Sequence, residues 1–420
     1  MPLLQPFRSL TATQRRAFTA CFLGWTLDAF DFFILTYCLD SVAAAYHVNL
    51  ETVAYSLTWT LCMRPVGALL FGLLAERFGR RPTLMLNIIC FSVFEVASAF
   101  APTFHIFLIT RALFGVAMGG EWGVGAALAL ETLPSENRGF FSGLLQEGYV
   151  TGNLLAAAVY GLIFPHLHGH GYLANWRVMF LLGALPSLLV FYVRSGVDES
   201  PAWEASRRKS LGTTPHSLGS VFRQIVAHLP LFLFLTLLMT AFTAFSHGTQ
   251  DLYPTFLKHD HRLTPQTTSV VAIVGNIGAL LGGICCGALS ERFGRRRTII
   301  IAALLAIPVI PLWAWSHTAA MLALGGFVMQ FMVQGAWGII PVHLNELAPA
   351  QVRALFPGLA YQLGNLLSSQ NSHFQALFAA RFFGGRLTPV MALTVLVVAL
   401  VVASTTGLGR EAKGADLSSV

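Results

Sequence analysis

Long apolar runs, each ended by Gly, Pro or a charge, follow one another along the chain from residue 18 to residue 408. A helix needs about 20 mostly apolar residues to cross ~30 Å of hydrocarbon. Twelve such runs lie near 18–40, 52–75, 82–100, 104–131, 139–164, 174–194, 228–257, 266–290, 298–315, 319–346, 354–379 and 387–408. Runs of this length predict helices, because a membrane barrel alternates over about ten residues instead. The expected fold class is therefore an all-α membrane protein with twelve transmembrane helices. The first run contains Asp28 and Asp31 and is followed by no small-residue cleavage site, so it is expected to be retained.

Composition sharpens this pattern. Of 420 residues, 55% are hydrophobic and 11% charged, against roughly 25% charged in an ordinary soluble domain. So little charge excludes a soluble multidomain protein, and such hydrophobicity excludes disorder. The net charge of +7 is a matter of placement. Of the 26 Lys and Arg, nineteen fall on the face of the N-terminus, including Arg15, Arg16, Arg77, Arg80, Arg81, Arg292 and Arg295 to Arg297. Five (Arg177, Lys258, Arg262, Arg381, Arg386) fall opposite, and Arg64 and Arg111 lie inside the bilayer. The positive-inside rule places both termini in the cytoplasm, and the basic charge marks topology, with no nucleic-acid partner implied.

One long polar connection divides the chain into a six-helix half at 1–195, a linker at 196–227 and a second six-helix half at 228–420. The linker reads as a solvated hinge whose Arg207, Arg208 and Lys209 add at most a modest headgroup attraction. An internal repeat supports the division. GLLAERFGRR at 72–81 recurs as GALSERFGRR at 287–296, an offset of 215. The same offset carries Trp122 to Trp337, Glu131 to Glu346, Pro134 to Pro349, Arg138 to Arg353 and Gly143 to Gly358. Parallel repeats of this kind place a binding site between the halves near the midplane.

The doubled G-x-x-x-(D/E)-R-x-G-R-R string resembles the signature loop of the major facilitator superfamily, with Glu76 and Glu291 where many members have Asp. RALFGVAMGG at 111–120 and DESPAW at 198–203 are similar to further segments of that superfamily. The resemblance implies a twelve-helix transporter in two pseudo-symmetric halves that works by alternating access. In it Glu76, Arg80 and Glu131, with Glu291, Arg295 and Glu346, are expected to form an inner-face charge network that locks one conformation.

Ionisable groups inside a bilayer are functional candidates by default, since each costs at least ~2.5–3.5 kcal/mol to insert. The N-terminal half carries Asp28, Asp31, Arg64, Glu95, Arg111, Glu121 and Glu147; the C-terminal half carries His247, Asp251 and His373. At 1.5 Å per residue, Asp28, Asp31, Arg64 and Glu121 share a level to within about a turn. An arginine keeps its charge, whereas a buried carboxyl can exchange a proton. Together they suit an anionic substrate held at Arg64 and a proton on Asp28, Asp31, Glu121 and Asp251. The alternative for Arg64 is a structural ion pair with Asp28 or Asp31. Arg111 is expected to make a gating or structural contact with the first helix, and Glu95 and Glu147 to be satisfied interhelical partners. His373 lies too near the outer end to be favoured.

In the seventh run, Thr243, His247, Gln250 and Asp251 share a helical stripe bordered by Ser246, and such a stripe in a membrane helix should face a cavity. This TAFSHGTQDLYPT string resembles the N-x-x-(S/T)-H-x-(S/T)-Q-D-x-x-x-T motif of the sialate:proton symporter family, particularly its lactate/pyruvate permease branch. Ser246, His247, Thr249, Gln250, Asp251 and Thr255 match, and Thr243 stands in place of Asn. GWTLDAFDFF at 24–33 and YQLGN at 361–365 are similar to helix 1 and helix 11 strings of those symporters. The resemblance implies that Arg64, His247, Gln250, Gln362 and Asn365 bind substrate, with Arg64 on the carboxylate.

The remaining signals add little. HLHGHG at 166–171 reads as a wet loop before it reads as a metal site. The six Cys lie in apolar runs without C-x-x-C, no P-loop is present, and neither a cofactor nor an enzymatic constellation is expected. The expected function is proton-coupled symport of a small monocarboxylate by a monomer in a bacterial inner membrane. A symporter of sialate or an aromatic acid, and a non-transporting membrane receptor, remain as alternatives.

Overall fold

The computed structural model describes residues 10–48, 50–167, 175–209, 223, 226–349, 352–353 and 355–415. Among these the regular structure is helical. In chain order the helices used below are α1 (Ala12–Tyr46), α2 (Leu50–Phe78), α3 (Arg80–Ala99), α4 (Phe104–Thr132), α5 (Arg138–Gln146), α6 (Gly148–Ile163), α7 (Asn175–Leu182), α8 (Leu189–Gly196) and α9 (Pro201–Lys209). After the linker come α10 (Leu229–Gln250), α11 (Tyr253–His259), α12 (Pro265–Phe293), α13 (Arg295–Ala314), α14 (Ala319–Trp337), α15 (Ile340–Leu347), α16 (Phe356–Ser368), α17 (Asn371–Phe382) and α18 (Thr388–Leu408).

Nine helices among the described residues are long and apolar enough to cross a membrane. Three of the twelve runs instead form pairs of shorter helices, α5/α6, α7/α8 and α16/α17. The breaks fall at Glu147, at Gly183 to Leu188 with its Pro186, and at Ser369–Gln370. Hydropathy does not register them, because a residue that breaks a helix need not break an apolar run. Two further runs are interrupted before a proline: α10 gives way to α11 ahead of Pro254, and α14 to α15 ahead of Pro341. Proline has no N–H to continue the ladder. Of the predicted linker at 196–227, residues 210–222, 224 and 225 lie outside the described residues.

Helices cannot associate in lipid by expelling water, so close backbone approach takes over. Gly115 and Gly119 of α4 lie against the Thr60 and Arg64 carbonyls of α2, where a Cβ would overlap them. From the α2 side Gly67 faces the Val116 carbonyl of α4, and in the second half Gly278 and Gly282 of α12 face the Phe327 and Phe331 carbonyls of α14. The repeated loop is equally glycine-dependent. Gly79 (φ 110°) and Gly294 (φ 91°) are the single residues that turn α2 into α3 and α12 into α13, and only glycine holds such φ without strain.

Gly79→Ala and Gly294→Ala are each expected to lower stability by about 1–3 kcal/mol, the typical strain of a side chain in that region. Gly407→Ala, in helix α18 with open space around it, should be neutral or slightly stabilising. Thermal unfolding of the detergent-solubilised protein, followed by tryptophan fluorescence, would separate the three; equal melting temperatures would refute the assignment of strain.

Candidate functional site

Two charge clusters close the basic end. Arg80, at the start of α3, donates to Glu76 Oε2 (3.0 Å) on α2 and to Glu131 Oε1 (3.3 Å) on α4, and all three are buried. Glu131 also accepts from Ser200 Oγ. In the second half Arg295 makes a two-pronged contact with Glu346 (3.1 and 3.2 Å) and pairs with Glu291 (3.2 Å). Each cluster also has an acid that accepts the free N–H groups at a helix start. Glu199 accepts from the Arg80 and Arg81 amides (3.0 and 3.1 Å), and Glu411 from those of Arg295 and Arg296 (3.2 and 3.1 Å). The first four N–H groups of a helix lack partners within it, and an acid there also faces the positive end of the helix dipole.

The halves meet at this same end. Glu291 accepts from the Gly139 amide at the start of α5. Ser142 Oγ donates to the Gly338 carbonyl (2.7 Å) and accepts from Val342 N–H (3.0 Å). Arg138 donates to the Ala415 carbonyl (3.0 Å). Higher up, the repeat-related Trp122 and Trp337 converge on Tyr361, with ring centroids 4.8 and 5.5 Å away.

Arg64 lies directly above this aromatic floor, its guanidinium carbon 5.9 Å from the Tyr361 ring centroid. The residue is 3% exposed, and its Nε and Nη2 have no hydrogen-bond partner among the described residues. Asp28 and Asp31 on α1 are fully buried, and none of their four carboxylate oxygens is bonded. Arg64 and Arg111 are the cations whose fields reach Asp28. Glu121 on α4 lies near Asp28, with its carboxylate against Gly24. Arg111 is ion-paired with Glu95 of α3, so that acid has its partner. Glu147 does not: the expectation of a satisfied interhelical contact is corrected, because both its oxygens are buried and unbonded. The reason is its place at a helix break, against the backbone of Gly283, which presents no side chain.

The second half faces this cluster mainly with amides and hydroxyls, together with one His–Asp pair. Thr243 donates to Asn365 Oδ1 (3.2 Å), and Asn365 Nδ2 to Gln362 Oε1 (2.9 Å). His247 Nδ1 lies 2.9 Å from Asp251 Oδ1, and the two side chains are 43% and 37% exposed. Gln250 Nε2 donates to Gln330 Oε1 (2.7 Å), Gln330 to Thr249 (3.1 Å) and Gln334 to Ser246 (3.0 Å). The exposed His247–Asp251 pair and the joined basic ends describe a molecule shut at its basic end.

Several contributors were not singled out from sequence: Glu199, Glu411, Tyr361, Gln330 and Gln334. A signal existed for the two glutamines, since the 215 offset sets them opposite Gly115 and Gly119, a departure from the repeat at two successive turns. The side chain of Thr255, that of His373, and His168 and His170 of the histidine-rich loop lie outside the described residues.

Comparison with known proteins bears on the chain as a whole. The family model for the Major Facilitator Superfamily matches residues 21–369. A carboxylic acid transporter protein homolog of Saccharomyces cerevisiae is 30% identical over 393 residues, 89% of this chain, although the chain spans only 63% of that relative's length. The sialic acid transporter NanX of Escherichia coli is 27% identical over 85% of both chains. Among solved structures, the proton:xylose symporter XylE superposes with a TM-score of 0.74 at 20% identity, covering 97% of this chain and 98% of that one. This likeness concerns the fold alone.

Glu199 lies outside the membrane spans, and burial raises its pKa although the Ser200, Arg81 and Arg80 amides and the Arg80 charge pull it down. A carboxyl raised on folding adds stability below its unfolded value and loses it as pH climbs through the folded value. Glu199→Gln should flatten that decline while keeping an acceptor oxygen, whereas Glu199→Ala should cost about 0.5–2 kcal/mol as a lost helix cap. Melting temperatures of both variants from pH 4 to 8 test this, and an unchanged slope in the Gln variant would count against it.

Proposed function

Because the chain belongs to the Major Facilitator Superfamily, we propose that it is a proton-coupled symporter of organic anions, with a small monocarboxylate of the lactate or pyruvate type as substrate. The observation that carries this reading is Arg64. A permanent cation, nearly dry and without a bonded carboxylate, stands above an aromatic floor and beside unbonded acids. A buried charge is costly unless paired, so the site is complete when an anion enters it. Arg64 takes the carboxylate, and Gln362, Asn365, His247 and Gln250 bond the rest of the substrate. Asp28, Asp31 and Glu121 exchange the proton, joined by Asp251.

The six-helix halves at 1–195 and 228–420 rock about the site, and the clusters around Arg80 and Arg295 hold the basic end shut until they part. That end is cytoplasmic, with both termini, and the protein works as a monomer in a bacterial inner membrane. A larger organic acid such as sialate is the second reading, favoured by the similarity to NanX along 85% of both chains.

Uptake of labelled lactate, pyruvate and sialate into proteoliposomes, with and without an inward proton gradient, decides among these. Lactate or pyruvate uptake should rise with the gradient. Arg64→Ala should lose roughly 10- to 100-fold in uptake, the scale of a hydrogen bond to a charged group. Gradient-independent uptake would remove the coupling, sialate alone would favour the second reading, and no uptake of any acid would leave the receptor.

A further inference from the structure

Glu147 is an acid that the transport reading leaves without a task. It is the single residue between α5 and α6, with φ −69° and ψ −6°, and it is 1% exposed. Its carboxylate lies against Gly283 of α12, in the other half, where a Cβ would overlap it. Gly283 also receives Gly143 and Gly338, so the acid sits in the seam along which the halves close.

The ionisable groups on the surrounding elements do not satisfy it. Asp28 is on α1, which packs Trp25 and Thr26 against Gly148. Cys285, Cys286 and Glu291 are on α12, His343 on α15 and Tyr149 on α6; Glu291 is held by Arg295 and Gly139. Arg64 stands over Tyr361. Neither Glu147 oxygen has a bond among the described residues. A buried carboxylate anion without partners is not sustained, so the closed seam holds the neutral acid, and parting the halves would admit water and allow ionisation.

The repeat supports this independently. The 215 offset carries Glu147 to Gln362, Asp28 to Thr243 and Asp31 to Ser246. Where the second half has an amide and two hydroxyls, the first has three acids. The scaffold thus accommodates a neutral polar group at this position, and Glu147 is the version that titrates.

We propose that Glu147 is a proton-binding latch between the halves: it is protonated while the basic end is closed, and it gives up its proton as that end opens. The proposal rests on the alternating-access reading and is independent of the substrate. Its test uses the full chain in nanodiscs without substrate, the six native Cys changed to Ala and spin labels at Arg77→Cys and Arg292→Cys. Both positions are exposed on the repeated loops. Electron–electron distances from pH 5 to 9 should shift from short to long, by up to roughly tenfold in population per pH unit for one linked proton. Glu147→Gln should hold the short distance throughout. A Gln variant that follows the wild-type response overturns the latch. So does a wild-type distance that ignores pH, which requires no variant at this position to fold. Since no acid is added, failure of lactate uptake in liposomes and failure of the latch are separate results.

Discussion

The buried arginine that links three helices at the basic end, Arg80 to Glu76 and Glu131 and again Arg295 to Glu291 and Glu346, is the interaction on which the other contacts of this structure depend. Removing one member of a buried ion pair leaves an uncompensated charge, at a cost of about 3–5 kcal/mol. That penalty fixes the ends of α2, α3 and α4 as a unit, and likewise those of α12, α13 and α15. With the ends fixed, Glu291 can cap α5 of the opposite half, and Ser142 can stitch α5 to α14 and α15.

Charge is used differently in the middle of the membrane. At the basic end Glu76, Glu131, Glu291 and Glu346 have donors, whereas at the midplane Arg64, Asp28, Asp31, Glu121 and Glu147 carry atoms with none among the described residues. Paired charges hold an arrangement, and unpaired ones are available to an incoming ion. The two kinds are separated along the same helices: α2 carries both Arg64 and Glu76, and α4 both Glu121 and Glu131.

The two halves share a scaffold but not an interior. Gly67 of α2 and its repeat mate Gly282 of α12 make the same close contact in both halves, whereas Gly115 and Gly119 of α4 have no glycine counterpart in α14. On α14, Gln330 and Gln334 stand in the places of Gly115 and Gly119, and they hold Ser246, Thr249 and Gln250 of α10. The first half presents mostly charge to the centre, and the second presents hydrogen-bonding groups with the single acid Asp251 beside His247.

The sequence alone determined the twelve passes, the repeat and the scarcity that makes each interior charge informative, because hydrocarbon admits so few polar residues that hydropathy and charge position are nearly sufficient. It also led to the expectation that Arg80 meets Glu131 and Arg295 meets Glu346, since the order of passes puts each pair on the same side of the membrane. Helix breaks at Glu147, Gly183 to Leu188 and Ser369 were not legible, for an apolar run reads the same whether or not its backbone bends. Only the tertiary structure decided which charges find partners. Glu95 meets Arg111, while Glu147 lies against Gly283 with no hydrogen bond among the described residues, and that depends on how helices far apart in sequence turn toward one another, which local composition does not encode.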